Sequence, residues 1–200
     1  HARRVAQGWR PVGRKIGFTN LTIWPRYNVY RPMWSHVWDR TVADAPDGVA
    51  TVDVSGLHEP RIEPEVVFGL SAPPPPQGGA REMLDVVAWI AAGFEIVHSV
   101  FPGWRFRAPD CTAQVGLHGK LVVGPRRTVG EDERDALFAL LPVFQVTLRK
   151  DGAVEDTGVG ANVLDSPAHA LAHLRDVLAA QPLSPPLQAG EIVTTGTITD

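Results

Sequence analysis

Glu63 and Glu65 stand two residues apart at the entry to an apolar, β-branched run, Arg61-Ile62-Glu63-Pro64-Glu65-Val66-Val67-Phe68. Alternate residues of a strand share a face, so both carboxylates point the same way. Like charges at the mouth of a core strand repel unless a cation lies between them, and carboxylate oxygens suit hard divalent ions such as Mg2+, Mn2+ or Ca2+. The plainer arrangement leaves one glutamate in solvent and pairs the other with Arg61. Glu95 repeats the oddity at the entry to a second apolar strand, Phe94-Glu95-Ile96-Val97-His98-Ser99-Val100, and offers a third carboxylate. Lys15 sits between Gly13 and Gly17 on a short strand, where small residues let backbone approach closely and an ammonium can grip a small anion. An ordinary solvated lysine is the alternative. Three carboxylates leave about three positions of an octahedral Mg2+ or Mn2+ for waters or a chelating substrate. An α-keto acid or its enol offers two adjacent oxygens to such a site. The metal then stabilises an enolate, while Lys15 neutralises the substrate carboxylate or assists proton transfer.

Other chemistries find little support. There is no GxSxG, P-loop, GxGxxG or HExxH pattern, and the histidines have no metal-site spacing. Cys111 reads as a packed thiol and His98 as a core or interface residue. His58-Glu59 is the one pair that suggests a general base.

The elements that must position these groups are short. Residues 2–9 read as the end of a helix and 12–20 as a strand. Residues 21–41 are irregular and aromatic, with Trp24, Tyr27, Tyr30, Trp34 and Trp38 broken by prolines, and suit a lid, a pocket wall or a subunit interface. Residues 49–54 alternate as a strand, and 71–79 form a Pro/Gly surface loop. The spacing of Met83, Leu84, Val87 and Ile90 predicts a helix over 81–92, stopped by Gly93. Residues 121–123 are apolar strand and 137–149 strand-rich. Lys150-Asp151-Gly152-Ala153 is a hairpin turn with a return arm over 154–163. Ser166 and Pro167 supply the N-cap and first position of a helix buried through Ala170, Leu171, Leu174, Val177 and Leu178. A last strand spans 192–195. Two helices and many short strands, with no βαβ rhythm or repeat, predict an α+β fold: a mixed β-sheet roll with flanking helices.

Two hundred residues make one catalytic domain, 1–200, with 19 glycines and 18 prolines for its many turns. His1 opens the chain without a methionine and Asp200 directly follows a strand-like run, which predicts segments missing at both ends. A net charge of −3 with no Lys/Arg block argues against a nucleic-acid partner, and no apolar run approaches the ~20 residues of a membrane span. A single cysteine excludes a disulfide framework and predicts a reducing, cytoplasmic location.

Five motifs in order, GRKIGFTN, RIEPEVVF, FEIVHS, DGAVEDTGVGANVLDSPAHALAHL and LQAGEIVTTGT, resemble the hydratase/decarboxylase branch of the fumarylacetoacetate hydrolase superfamily across nearly all 200 residues. The resemblance implies that superfamily's C-terminal-domain fold, a homo-oligomer, metal ligands at Glu63, Glu65 and Glu95, and Lys15 as the catalytic and substrate-binding lysine. It also implies that Thr195, Gly196 and Thr197 line the substrate pocket. The implied activity is hydration of a 2-hydroxy-2,4-dienoate (2-keto-4-pentenoate) to a 4-hydroxy-2-keto acid in aromatic-compound catabolism. A 4-oxalocrotonate-type decarboxylase, an acylpyruvate hydrolase and a non-catalytic homologue are the alternatives. The chain departs from the pattern at Ala113-Gln114-Val115, where the branch commonly carries Ala-Asp-Asn.

Overall fold

The computed structural model describes residues 1–199; Asp200 lies outside the described residues. In chain order the elements are α1 (Ala2–Ala6), β1 (Pro11–Gly17), α2 (Trp24–Tyr27), β2 (Met33–Trp38), β3 (Val42–Asp44), β4 (Arg61–Leu70), α3 (Ala80–Met83) and β5 (Val87–Val97). There follow α4 (Ala108–Ala113), β6 (His118–Val123), β7 (Arg127–Thr128), α5 (Arg134–Leu140), β8 (Gln145–Lys150), β9 (Ala153–Val159), α6 (Pro167–Ala179) and β10 (Ile192–Thr194). One mixed sheet runs in the order β2-β1-β10-β4-β5-β6-β3, with β7 paired to β5. β1 and β10 pair in parallel, as do β3 and β6, and the other neighbours are antiparallel. β8 and β9 form a separate hairpin across the Asp151-Gly152 turn. This is the α+β mixed-sheet fold that the residue pattern predicts.

The two faces of the sheet bury different things. Ile16, Val66, Phe68 and Val193 pack against Leu171, Leu174 and Leu178 of α6, which opens as predicted, with Ser166 Oγ accepting the Ala168 N–H. Val37, Val67, Leu121 and Val123 form a second cluster. Gly13 permits β1 and β10 to pair closely, since a Cβ there would lie 2.0 Å from the Ile192 carbonyl oxygen.

Several local expectations yield to sheet pairing. The predicted helix over 81–92 is only α3 and a 3-10 turn, and β5 begins at Val87. Once β4 offers a ten-residue edge, a run holding Val, Trp, Ile and Phe is stabilised more by cross-strand partners than by one helical stripe. Gly93, read as a helix stop, is instead a packing requirement in mid-strand: a Cβ would meet Val67 Cγ2 at 2.6 Å and the Val122 oxygen at 2.8 Å. Residues 49–54 form no strand, and of the strand-rich run 137–149 the first part, 137–140, belongs to helix α5 while 145–149 lies in β8. The aromatic segment 21–41 contains both a helical turn and the regular strand β2. Among the described residues no helix is long and apolar enough to cross a membrane.

Candidate active site

β4, β5 and β1 bring four charged side chains to one place. Glu63 and Glu65 project from the same face of β4, and Glu95 is the direct cross-strand partner of Glu63 on β5. One oxygen from each of the three carboxylates lies within 4.8 Å of the others. Lys15 Nζ donates to Glu95 Oε2 at 2.7 Å and to the Gly116 carbonyl at 2.9 Å. The loop that presents this carbonyl holds Val115, Gly116 and Leu117 at φ 48°, 68° and 63°. A β-branched residue in that region is strained, a cost that recurs where a loop must aim a backbone group. Lys15, Glu65 and Glu95 are buried, and Glu63 is half-buried.

The fourth side of the cluster is a residue that the sequence pattern did not single out. His118 Nδ1 lies 2.6 Å from Glu95 Oε1, and its Nε2 lies 2.7 Å from Thr41 Oγ1. The Thr41 hydroxyl also lies 2.9 Å from the Trp38 carbonyl. Both oxygens of Glu95 are thereby held, one by Lys15 and one by His118.

Charge and burial are in tension here. Burial alone would lift the Glu95 pKa, but Lys15 and the hydrogen bond from His118 outweigh it and bring it down. Burial would depress the Lys15 ammonium, and the charges of Glu95, Glu63 and Glu65 together reverse that and raise it. Glu65 is pushed well above the usual carboxylate range, first by burial and then by Glu95 and Glu63. Its Oε2 accepts the Gly196 N–H at 2.9 Å, whereas Oε1 is buried without a hydrogen-bond partner among the described residues. An orphaned carboxylate oxygen facing two more carboxylates is the donor set of a hard divalent cation, so these residues fit such an ion.

The cluster opens into a cavity of about 130 Å3 whose wall includes Phe18, Met33, Leu117, Gly196 and Thr197. Thr19 also lines it, with a buried hydroxyl that has no partner among the described residues. Thr195, next to Gly196, gives its hydroxyl to the Val66 carbonyl and holds the loop to β4 instead of lining the cavity. Tyr27 and Ile23 of the aromatic segment form part of the wall. His58 and Glu59 do not line it: both Glu59 oxygens accept the Gly103 N–H. Gln114 is structural, bonding the Val100 N–H and the His98 carbonyl. Cys111 lines the cavity but is 2% exposed, and burial pushes its thiol up to about 11. Native protein at pH 8 is therefore expected to react with a thiol-specific reagent at least tenfold more slowly than urea-unfolded protein. A single-equivalent burst from the native state would contradict this burial.

No family model matches the chain. It is 31% identical over 197 residues to 2-hydroxyhexa-2,4-dienoate hydratase of Comamonas testosteroni, covering 98% of this chain and 71% of the relative. It is 30% identical over 200 residues to 2-keto-4-pentenoate hydratase of Paraburkholderia xenovorans strain LB400, covering 98% and 69%. A solved 4-oxalocrotonate decarboxylase from Pseudomonas putida G7, complexed with magnesium and adipate, superposes with a TM-score of 0.86 at 25% identity, covering 100% of this chain and 72% of that one. A fumarylpyruvate hydrolase from Pseudomonas aeruginosa in complex with Mn2+ and pyruvate shares the fold, with a TM-score of 0.66 at 13% identity and coverage of 94% and 77%. The fold is that of the fumarylacetoacetate hydrolase superfamily. Within it, the chain belongs to the hydratase/decarboxylase family, a family of lyases.

Proposed function

We propose that the protein is a divalent-metal-dependent hydratase that converts a 2-hydroxy-2,4-dienoate to a 4-hydroxy-2-keto acid. The observation that carries this reading is the buried triad of Glu63, Glu65 and Glu95 beside Lys15, with one Glu65 oxygen unpartnered. The three glutamates would hold Mg2+ or Mn2+, which supplies Lewis-acid polarisation of the 2-oxygen when bound. Lys15 keeps its proton and places a fixed positive charge beside the site, suited to the substrate's 1-carboxylate. Only two of its three N–H groups are committed among the described residues. Gly196 and Thr197 border the same cavity, and the free hydroxyl of Thr19 adds a polar contact. The apolar part of the wall, Phe18, Met33 and Leu117, lowers the local polarity and so strengthens these electrostatic contacts. Protonation of the dienol at C5 gives an enone, and one water then adds across it, hydroxyl at C4 and hydrogen at C3.

The structural likeness to 4-oxalocrotonate decarboxylase favours a second reading, decarboxylation of a vinylogous β-keto acid through the same stabilised dienolate. In either case we place the enzyme in the cytoplasm as a homo-oligomer. The latter is supported by a hollow of about 910 Å3 whose lining includes Ile62, Phe94, Ile96 and Val122. The deciding experiment supplies 2-hydroxypenta-2,4-dienoate and 4-oxalocrotonate to the Mn2+-loaded protein and follows dienol absorbance together with CO2. Absorbance loss without CO2 is expected. Release of CO2 from oxalocrotonate would move the assignment to the decarboxylase, and no change with either would sink both.

A further inference from the structure

We infer that His118 is a positioning residue: backed by Thr41, it holds Glu95 Oε1 from outside the cavity and so fixes the carboxylate in the orientation that completes the divalent-cation site. The inference rests on the proposed use of Glu63, Glu65 and Glu95 as metal ligands.

A break in the register of the sheet brings His118 to this place. Glu95 faces Leu121 and Ile96 faces Lys120 across β5 and β6, but Val97 faces His118, so β6 carries one extra residue, Gly119, at that step. Side chains alternate across a strand, and in unbroken register Val97 would face Gly119 while His118 left on the face of Ile96. The extra residue turns His118 onto the face of Val97 and Glu95 instead. Glycine fits the step because a Cβ on residue 119 would lie 2.6 Å from the Ile96 carbonyl oxygen. Bulges that re-aim one side chain in this way recur beside active sites.

Once there, His118 commits both ring nitrogens. Nδ1 lies 2.6 Å from Glu95 Oε1, and Nε2 lies 2.7 Å from Thr41 Oγ1. Lys15 keeps Glu95 ionised, and a carboxylate only accepts, so Nδ1 is the donor. Thr41 is tied to backbone in turn: its Oγ1 accepts the Trp38 N–H at 3.3 Å and lies 2.9 Å from the Trp38 carbonyl. The side chains of His118 and Glu95 are fully buried, and Thr41 is buried behind them. The last torsion of a glutamate is broad and two-fold, so Lys15 on Oε2 alone would leave the carboxylate plane free to turn. A second donor on Oε1 stops that rotation. The Gly196 N–H does the same for Glu65 at Oε2. Lys15, Glu63 and Glu65 line the cavity and neither His118 nor Thr41 does, so the pair reaches the site only through Glu95.

The test measures the Mn2+ affinity of the full chain by electron paramagnetic resonance of the free ion, a readout that needs no turnover. His118→Asn keeps a donor near the place of Nδ1, and His118→Gln keeps one near the place of Nε2. Both exchange the ring for an amide, so they share its loss of packing and differ in which partner they can still reach. We expect His118→Gln to weaken Mn2+ binding about 10- to 100-fold, the usual cost of removing the partner of a metal ligand, and His118→Asn to stay within about threefold of wild type. Thr41→Val, which removes only the hydroxyl behind the ring, should weaken binding less than His118→Gln does. A loss in His118→Asn that equals or exceeds the loss in His118→Gln would reduce His118 to packing and overturn the inference. Unchanged or tighter binding in His118→Gln would overturn it too, since Glu95 would then need no second partner. The Asn and Gln contrast without turnover of any dienoate would support the inference and count against the hydratase assignment alone. Failure of the wild type to bind Mn2+ would overturn the inference together with the metal site.

Discussion

Glu65→Gln is expected to abolish stabilisation by Mg2+ or Mn2+ while raising the melting temperature of the metal-free protein. Divalent metal at a hundred times its dissociation constant stabilises by about 2.7 kcal/mol, roughly 5–10 °C for a chain of this size. The glutamine keeps the length of Glu65 and an oxygen for the Gly196 N–H, but removes a formal charge from a buried group of three carboxylates. The pH dependence has a definite sign. The folded-state pKa of Glu65 is raised, by burial and by Glu95 and Glu63, so above the unfolded value the folded metal-free protein binds more protons than the unfolded chain. Its stability therefore falls as pH rises from the unfolded value through the folded one, and the glutamine variant escapes that fall. The advantage of Glu65→Gln should accordingly be small at pH 4 and grow toward neutrality, as read by thermal unfolding in a chelator. An undiminished Mn2+ shift in the variant would show that Glu65 is not a ligand.

How much of this was legible in the residues depended on whether the signal was local. The Glu63 and Glu65 alternation needs only a strand, and β4 is one over ten residues. Glu95 carried the same signal at the entry to an apolar run, and pairing places it opposite Glu63. Lys15 was legible from Gly13 and Gly17. His118 was not, because its partners are remote in sequence: Glu95 lies 23 positions away and Thr41 lies 77. The one local hint was a histidine opening an apolar strand, His118-Gly119-Lys120-Leu121. The difference over 81–92, where the local spacing predicts helix and the chain forms β5 from Val87, has the same root. Its apolar positions satisfy a helix, and only the long edge of β4 makes strand the better solution.

Lys15→Met is expected to be the most damaging single change at the site, with a loss of stability that metal repairs and a loss of activity that it does not. Lys15 is 3% exposed and holds Glu95 at 2.7 Å in a cluster of three carboxylates. Removing one partner of a buried ion pair costs about 3–5 kcal/mol, because the other charge remains buried and uncompensated. For 200 residues this is a drop of roughly 10 °C in melting temperature in the metal-free state. His118 still holds the other oxygen of Glu95, so the variant keeps a folded site into which a divalent cation can bring the missing charge. Saturating Mn2+ should therefore recover most of the lost melting temperature. Turnover should not return, since the bound ion replaces the compensation of Glu95 but not the ammonium beside the substrate carboxylate. The contrast with Glu65→Gln separates the two roles: that variant gains stability without metal and is blind to it, whereas Lys15→Met loses stability without metal and regains it. If metal-free Lys15→Met melts with wild type, protons rather than Lys15 neutralise the triad. If Mn2+ restores turnover as well as stability, the ammonium has no part in handling the substrate.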